Sequence, residues 1–148
     1  MKIRLLIVDD TRSWVSFHKD LIEALYGDIF EITVAYSAKD ALDIARHNIE
    51  KPFLLIITDL QMEDAYGSKV AGEWLIEQIK NINQYSRTHF LIVSAMYNIE
   101  YITAKLGVSC ISKLVLVHNK LLMKYTIENM MPFLNKRDVD INNLNPKM

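Results

Sequence analysis

Cysteine, glycine and proline are scarce in this sequence: one, four and three residues in 148. The single Cys110 has no partner for an internal disulfide, which excludes a small disulfide-stapled scaffold. None of Gly27, Gly67, Gly72 and Gly107 falls in a GxGxxG or GxxxxGK spacing, so phosphate cradling by those loops is excluded. The four histidines, His18, His47, His89 and His118, lie in separate segments without metal-ligand spacing, which argues against a structural zinc site. A net charge of −1 gives no overall electrostatic footprint for nucleic acid. Apolar runs reach only about five residues, as from Phe53 to Ile57, too short for a transmembrane helix. The opening Met1-Lys2-Ile3-Arg4 leads into four apolar residues and then two aspartates, which is no signal-peptide core; the expected location is cytoplasmic. No repeat or low-complexity segment interrupts the chain.

What is present suits one globular domain with a full core: 51% hydrophobic and 24% charged residues. Five apolar runs recur, Ile3 to Val8, Phe30 to Ala35, Phe53 to Thr58, Phe90 to Ser94 and Val108 to Ser112. Several are nearly continuous, as in strands covered on both faces. Helical spacing separates them. Trp14, Phe17, Leu21 and Leu25 share one face, with Gly27 as a stop; Ser37 and Asp40 resemble a capping box ahead of Ala38, Ala41, Leu42 and Ala45. Further helices are predicted through Gly72, Leu75, Ile76 and Ile79, from Ile99 to Leu106 before Gly107, and through Met123, Ile127 and Met130, with Pro132 ending or kinking the last. Period is lost after about Leu134. The expected organisation is one domain over 1–134 and a polar tail over 135–148 that includes Asn142, Asn143 and Asn145. Five alternating strand–helix pairs predict an α/β, doubly wound parallel sheet of order 2-1-3-4-5, flavodoxin-like, which binds ligands at the carboxyl ends of its strands.

Those ends carry Asp9 and Asp10 after the first strand, Asp59 after the third, Ser94 on the fourth and Lys113 after the fifth. Singly, each has an ordinary explanation: Asp10 or Ser13 capping a helix, Ser94 satisfying a strand-end amide, Lys113 solvated at the surface. Together they predict three carboxylates, one ammonium and one hydroxyl around a single crevice. Clustered carboxylates repel and raise one another's pKa unless a cation joins them. Oxygen-only ligands favour Mg²⁺ or Mn²⁺, which leaves room for a phosphate oxygen, and Lys113 adds a second positive charge. The set suits phosphoryl transfer.

Leu6-Ile7-Val8-Asp9-Asp10, Ile56-Ile57-Thr58-Asp59-Leu60-Gln61-Met62, Ile92-Val93-Ser94-Ala95 and Ile111-Ser112-Lys113, in this order, resemble the receiver domains of two-component response regulators, as does the helix through Gly72 to Lys80. The resemblance covers about residues 1–134. It implies that Asp59 accepts a phosphoryl group from a phosphohistidine on a sensor histidine kinase or phosphotransfer protein. It further implies Mg²⁺ held by Asp9, Asp10, Asp59 and the main-chain carbonyl of Gln61, with Ser94 bonding a phosphoryl oxygen and Lys113 neutralising its charge. Gln61 and Met96 would then influence hydrolysis of the acyl phosphate. The domain would be no enzyme beyond its own phosphorylation and dephosphorylation. Its output would pass by protein contacts, through the face of the fourth helix, fifth strand and fifth helix, to a downstream protein not identifiable from the sequence, without direct nucleic-acid binding or membrane insertion.

The sequence departs from the family at five places, one of them a span from Ser94 to Lys113 a few residues short, which implies a trimmed fourth helix. Leu114 stands where Lys-Pro is usual, so a trans bond is expected after Lys113. Cys110 occupies a position that is normally aromatic; Tyr97 or Tyr101 could substitute, or could simply cover the sheet. The loop after Asp59 has Met62-Glu63 for Met-Pro and an insertion of about five residues including Asp64, Tyr66 and Lys69, either for partner selection or as a tolerated surface change. Leu114 to Val117 is more apolar than a loop requires and either extends the fifth strand or forms a docking patch. These departures motivate an alternative, a pseudo-receiver that serves as a protein interaction module without phosphorylation. An aspartate-nucleophile phosphatase of the haloacid-dehalogenase type is disfavoured, because Thr11 and Arg12 stand two residues beyond Asp9 and Asp10 where a second Asp is needed.

Overall fold

The computed structural model describes residues 2–63 and 69–135. The readings of Asp64, Tyr66 and the Asn-rich tail beyond Asn135 lie outside these residues. Strands β1 (Ile3–Val8), β2 (Phe30–Ala35), β3 (Leu55–Thr58), β4 (His89–Ser94) and β5 (Ser109–Ser112) form one all-parallel sheet in the order β2-β1-β3-β4-β5. Parallel strands buried on both faces need apolar side chains at successive positions, and β3 is buried throughout.

The strand period of two divides those side chains between two cores. Leu5, Ile7, Leu55, Ile57, Leu91, Val93 and Ile111 face helices α1 (Arg12–Tyr26) and α6 (Leu121–Met130). Leu6, Val8, Ile56 and Ile92 face α2 (Ala38–His47), α3 (Ala71–Lys80) and α4 (Ile99–Leu106) on the other side. Each fully buried Leu or Ile contributes about 1.5–3 kcal/mol, so these two layers fix the register of every strand end.

The helix boundaries follow local chemistry. Ser37 Oγ accepts the Asp40 N–H at 3.0 Å and opens α2. Gly27, at φ 62°, closes α1 with its N–H on Glu23 O at 2.8 Å. Gly107 adopts the left-handed conformation, and the bonds Gly107 N–H to Ala104 O and Val108 N–H to Thr103 O form a Schellman motif. That motif takes Val108 out of the ladder, so β5 begins one residue later than the apolar run suggests. β3 likewise begins at Leu55 rather than Phe53.

Leu114 to Val117 does not extend β5. Ser112 Oγ accepts the Leu114 N–H at 3.2 Å and starts a one-turn helix, α5 (Lys113–Leu116), so the strict five-pair count gains a turn here, and another at the 3₁₀ segment Asn83–Tyr85. Leu116 is buried in the α1/α6 core, while Leu114, Val115 and Val117 are exposed. Pro132 ends α6 as expected, and a further helical turn over 132–135 follows it, anchored by buried Leu134. Among the described residues no helix is long and apolar enough to cross a membrane.

Candidate functional site

Asp9 and Asp59 come together because β1 and β3 are neighbours with Val8 opposite Thr58, and the Asp59 N–H bonds Val8 O at 3.0 Å. Lys113 arrives from β5, two strands or about 10 Å from β3, so its stem crosses the end of β4. Its Nζ lies 2.8 Å from Asp59 Oδ2 and 2.8 Å from Asp9 Oδ2. All three side chains are buried, Asp9 to 1% exposure, Lys113 to 6% and Asp59 to 7%. Lys113 is therefore not a solvated surface charge. The peptide bond after it is trans, as are all those of the described residues.

Backbone donors fix the carboxylates. Asp59 Oδ1 accepts the N–H groups of Leu60 at 2.7 Å and Gln61 at 3.4 Å; Asp9 Oδ1 accepts the Thr11 N–H at 2.9 Å. Asp9 Oδ2 has the Lys113 charge beside it but no aligned hydrogen-bond donor. Burial pushes the Asp9 carboxyl above the usual range, more than Lys113 and the Thr11 N–H pull it back. Burial also works against the Lys113 ammonium, yet its hydrogen bond to Asp59 and its ion pair with Asp9 outweigh that, and its pKa stands above the ordinary lysine value. With both carboxylates ionised the trio carries a formal charge of −1, so the site still attracts a cation.

The other expected residues lie around this trio. Asp10 is half-buried and directed to the β3–α3 loop, its Oδ2 accepting the Glu63 N–H at 2.8 Å. Ser94 is buried at the end of β4 and its Oγ accepts the Met96 N–H at 3.3 Å, the strand-end role its position allows. Gln61 is exposed and contributes its N–H to Asp59. The structure thus brings two carboxylates to the ammonium, not three, and among the described residues no group of three or more His, Cys, Asp or Glu is arranged to hold a metal. The donor types nonetheless fit a hard divalent ion: every candidate atom is an oxygen, and Asp9 Oδ2 is buried without an aligned donor. Tyr97 and Tyr101 are exposed and do not cover the sheet, and Cys110 is half-buried opposite Ile92.

Three contributors were not singled out from sequence. The Trp14 ring lies 4.8 Å from Lys113 Nζ. His18, one turn along α1, packs 5.5 Å from Trp14 and is buried with no partner for Nδ1; burial first and the Lys113 charge second lower its pKa to about 4. The spacing of four between Trp14 and His18 puts both on one helix face, which was the available signal. Gly72 lets α3 touch the chain just beyond β3: its N–H bonds Leu60 O at 2.8 Å, and a Cβ there would meet Asp59 O at 2.1 Å.

No family model matches the chain, and no curated protein matches it. Solved structures do. A CheY-like response regulator receiver domain protein from Methanospirillum hungatei JF-1 superposes with a TM-score of 0.65 at 20% identity, over 92% of this chain and 99% of that one. The signal receiver domain of a DNA binding response regulator from Colwellia psychrerythraea 34H gives 0.69 at 19%, over 88% and 99%. That of a putative Luxo repressor protein from Vibrio parahaemolyticus gives 0.67 at 21%, over 94% and 97%. With the sheet order, the two-sided helix layers and these likenesses in agreement, the fold of this chain is that of the CheY-like response regulator receiver domain.

Proposed function

We propose that this chain is a response regulator receiver of a two-component phosphorelay, with Asp59 as phosphoacceptor and residues 1–134 as the receiver unit ahead of a polar tail. The observation that carries this reading is the buried ammonium of Lys113 at 2.8 Å from both Asp59 and Asp9, at the ligand-binding end of the sheet. An Asp59 carboxylate oxygen attacks the phosphorus of a donor phosphohistidine whose other ring nitrogen is protonated. The new C–O–P linkage forms as the P–N bond breaks, and its electron pair returns to the ring, which leaves as neutral imidazole. Lys113, already placed against Asp59, exchanges carboxylate contacts for the incoming phosphoryl oxygens, and Ser94 turns its hydroxyl from the Met96 N–H to donate to one of them. Asp9, Asp10, Asp59 and the Gln61 carbonyl would hold Mg²⁺ or Mn²⁺, which when bound would neutralise charge on the transferring group.

The donor is a histidine kinase or histidine phosphotransfer protein. The output is an altered affinity for a downstream protein at the face of α4, β5 and the helices that follow it, with no direct nucleic-acid contact and a cytoplasmic setting. Intact mass after incubation with Mg²⁺ and acetyl phosphate tests the reading: one phosphoryl group on the wild type and none on Asp59→Asn is the expected result. No adduct from acetyl phosphate or from a phosphohistidine donor overturns it. That outcome favours the pseudo-receiver, an interaction module without phosphorylation, which Cys110 at the usual aromatic position and the Asp10–Glu63 bond already motivate.

A further inference from the structure

Lys113 is held by an unusual support. The residue after it is Leu114, exposed and with an N–H, where a proline would restrict the backbone. The turn it opens has four residues and one buried anchor, Leu116. A lysine stem has many rotamers open to it, so a short turn alone leaves the ammonium free to leave the site. Two of its neighbours are the carboxylates. A third is the Trp14 ring, 4.8 Å away and inside the range of a cation–π contact. Trp14 is itself well fixed. Its backbone N–H bonds the O of the N-cap Thr11 at 3.0 Å, Phe17 meets its ring edge-on at 5.1 Å, and buried His18 lies 5.5 Å away, both rings on the 15-residue α1.

We infer that Trp14 is a positioning residue for Lys113: its indole face closes a side of the buried ammonium that the carboxylates leave open, and holds by side-chain contact a lysine that the backbone does not lock. The consequence for phosphoryl transfer rests on the receiver reading above; the contact itself does not. A cation over an indole in a desolvated setting is favoured more than over a phenyl ring and much more than over an aliphatic chain. Trp14 therefore acts through Lys113, not on the phosphoryl donor.

The test combines a rate and a spectrum. With Mg²⁺ and acetyl phosphate, Trp14→Leu is expected to form the Asp59 adduct about fivefold more slowly than wild type, and Trp14→Phe to recover most of that loss. In a Lys113→Met background, Trp14→Leu is expected to cost nothing further. Equal slowing in both backgrounds, or a Leu variant as fast as wild type, overturns the proposal. The spectrum uses a Trp74→Phe background, where Trp14 is the sole tryptophan. Lys113→Met is expected to shift its emission, and the pair Asp9→Asn/Lys113→Met, which removes one carboxylate with the ammonium, stands in if the single variant does not fold. An unchanged emission overturns the contact. A wild type that accepts no phosphoryl group but shows the shift sinks the receiver reading and leaves Trp14 as the holder of Lys113.

Discussion

Asp9 and Asp59 reach the site on the ends of two adjacent buried strands, whereas Lys113 reaches it from a half-buried four-residue strand that passes into a one-turn helix. On the acid side, ladder register decides where the functional atoms lie: Val8 opposite Thr58 fixes Asp9 beside Asp59, and backbone N–H groups orient an oxygen of each. On the lysine side the backbone departs from the family pattern and the ammonium still arrives, held by two carboxylates and an indole. The same charge constellation is thus built by register in one half and by side-chain contact in the other. A register-built half should resist local substitution until its packing is broken; a contact-built half should respond to each contact in turn.

The sharpest way to break the comparison is to remove the ammonium. Lys113→Met leaves two buried carboxylates facing each other without a cation, and loss of one partner of a buried pair costs about 3–5 kcal/mol. Urea unfolding at neutral pH should show a loss of that order. It should shrink as the pH falls, because Asp9, whose carboxyl is already pushed above the usual range by burial, then takes up a proton and removes the repulsion. A loss below about 1 kcal/mol at neutral pH would mean the pair behaves like an exposed ion pair.

Next in size is the acid sensitivity of α1. His18 has a folded pKa of about 4 against an ordinary 6.5, so the native state binds fewer protons than the unfolded chain between those values. Its contribution is present above pH 6.5 and is lost as the pH falls toward 4, by about 3 kcal/mol in full. Lys113 and Asp59 are the charged groups that act on it. His18→Leu should flatten the slope of stability against pH in this window, read by denaturant titrations at several pH values; an unchanged slope would assign it to other groups.

The register-built half is broken at Gly72. Alanine is the better helix former by about 1 kcal/mol, but its Cβ would lie 2.1 Å from Asp59 O and 2.7 Å from Leu60 Cα, both backbone atoms. Backbone cannot swing aside as a side-chain tip can, so the clash wins and Gly72→Ala should lose about 2 kcal/mol by thermal or urea unfolding. A stabilised variant would show that α3 can withdraw from the end of β3 at little cost.

What was legible in the sequence divides along the same line. β1, β2 and α4 follow from runs and stops, since the apolar-rich runs Ile3 to Val8 and Phe30 to Ala35 have the bounds of the strands themselves and Gly107 ends Ile99 to Leu106. Asp9, Asp59 and Lys113 were legible because each immediately follows a strand. The Lys113–Leu116 turn was not: one turn is too short to show a period, and its apolar residues read equally as strand. Nor was the direction of Asp10, which depends on where the loop places the Glu63 N–H, or the seat of Trp14 over Lys113, which joins chain segments far apart in sequence.

The smallest effect sharpens the comparison most. Ser112 Oγ accepts the Leu114 N–H at 3.2 Å and caps the turn that begins at Lys113. Ser112→Ala removes that acceptor and should cost about 1 kcal/mol of stability. If side-chain contacts hold the lysine, the ammonium stays against Asp9, Asp59 and Trp14 while the turn loosens beneath it, and the rate of adduct formation with acetyl phosphate should fall no more than about twofold, since each 1.4 kcal/mol of lost transition-state stabilisation is worth tenfold. A slowing as large as that of Trp14→Leu would reverse the assignment: the capped turn, and not the indole, would then be what aims Lys113, and the two halves of the site would both be set by their backbones.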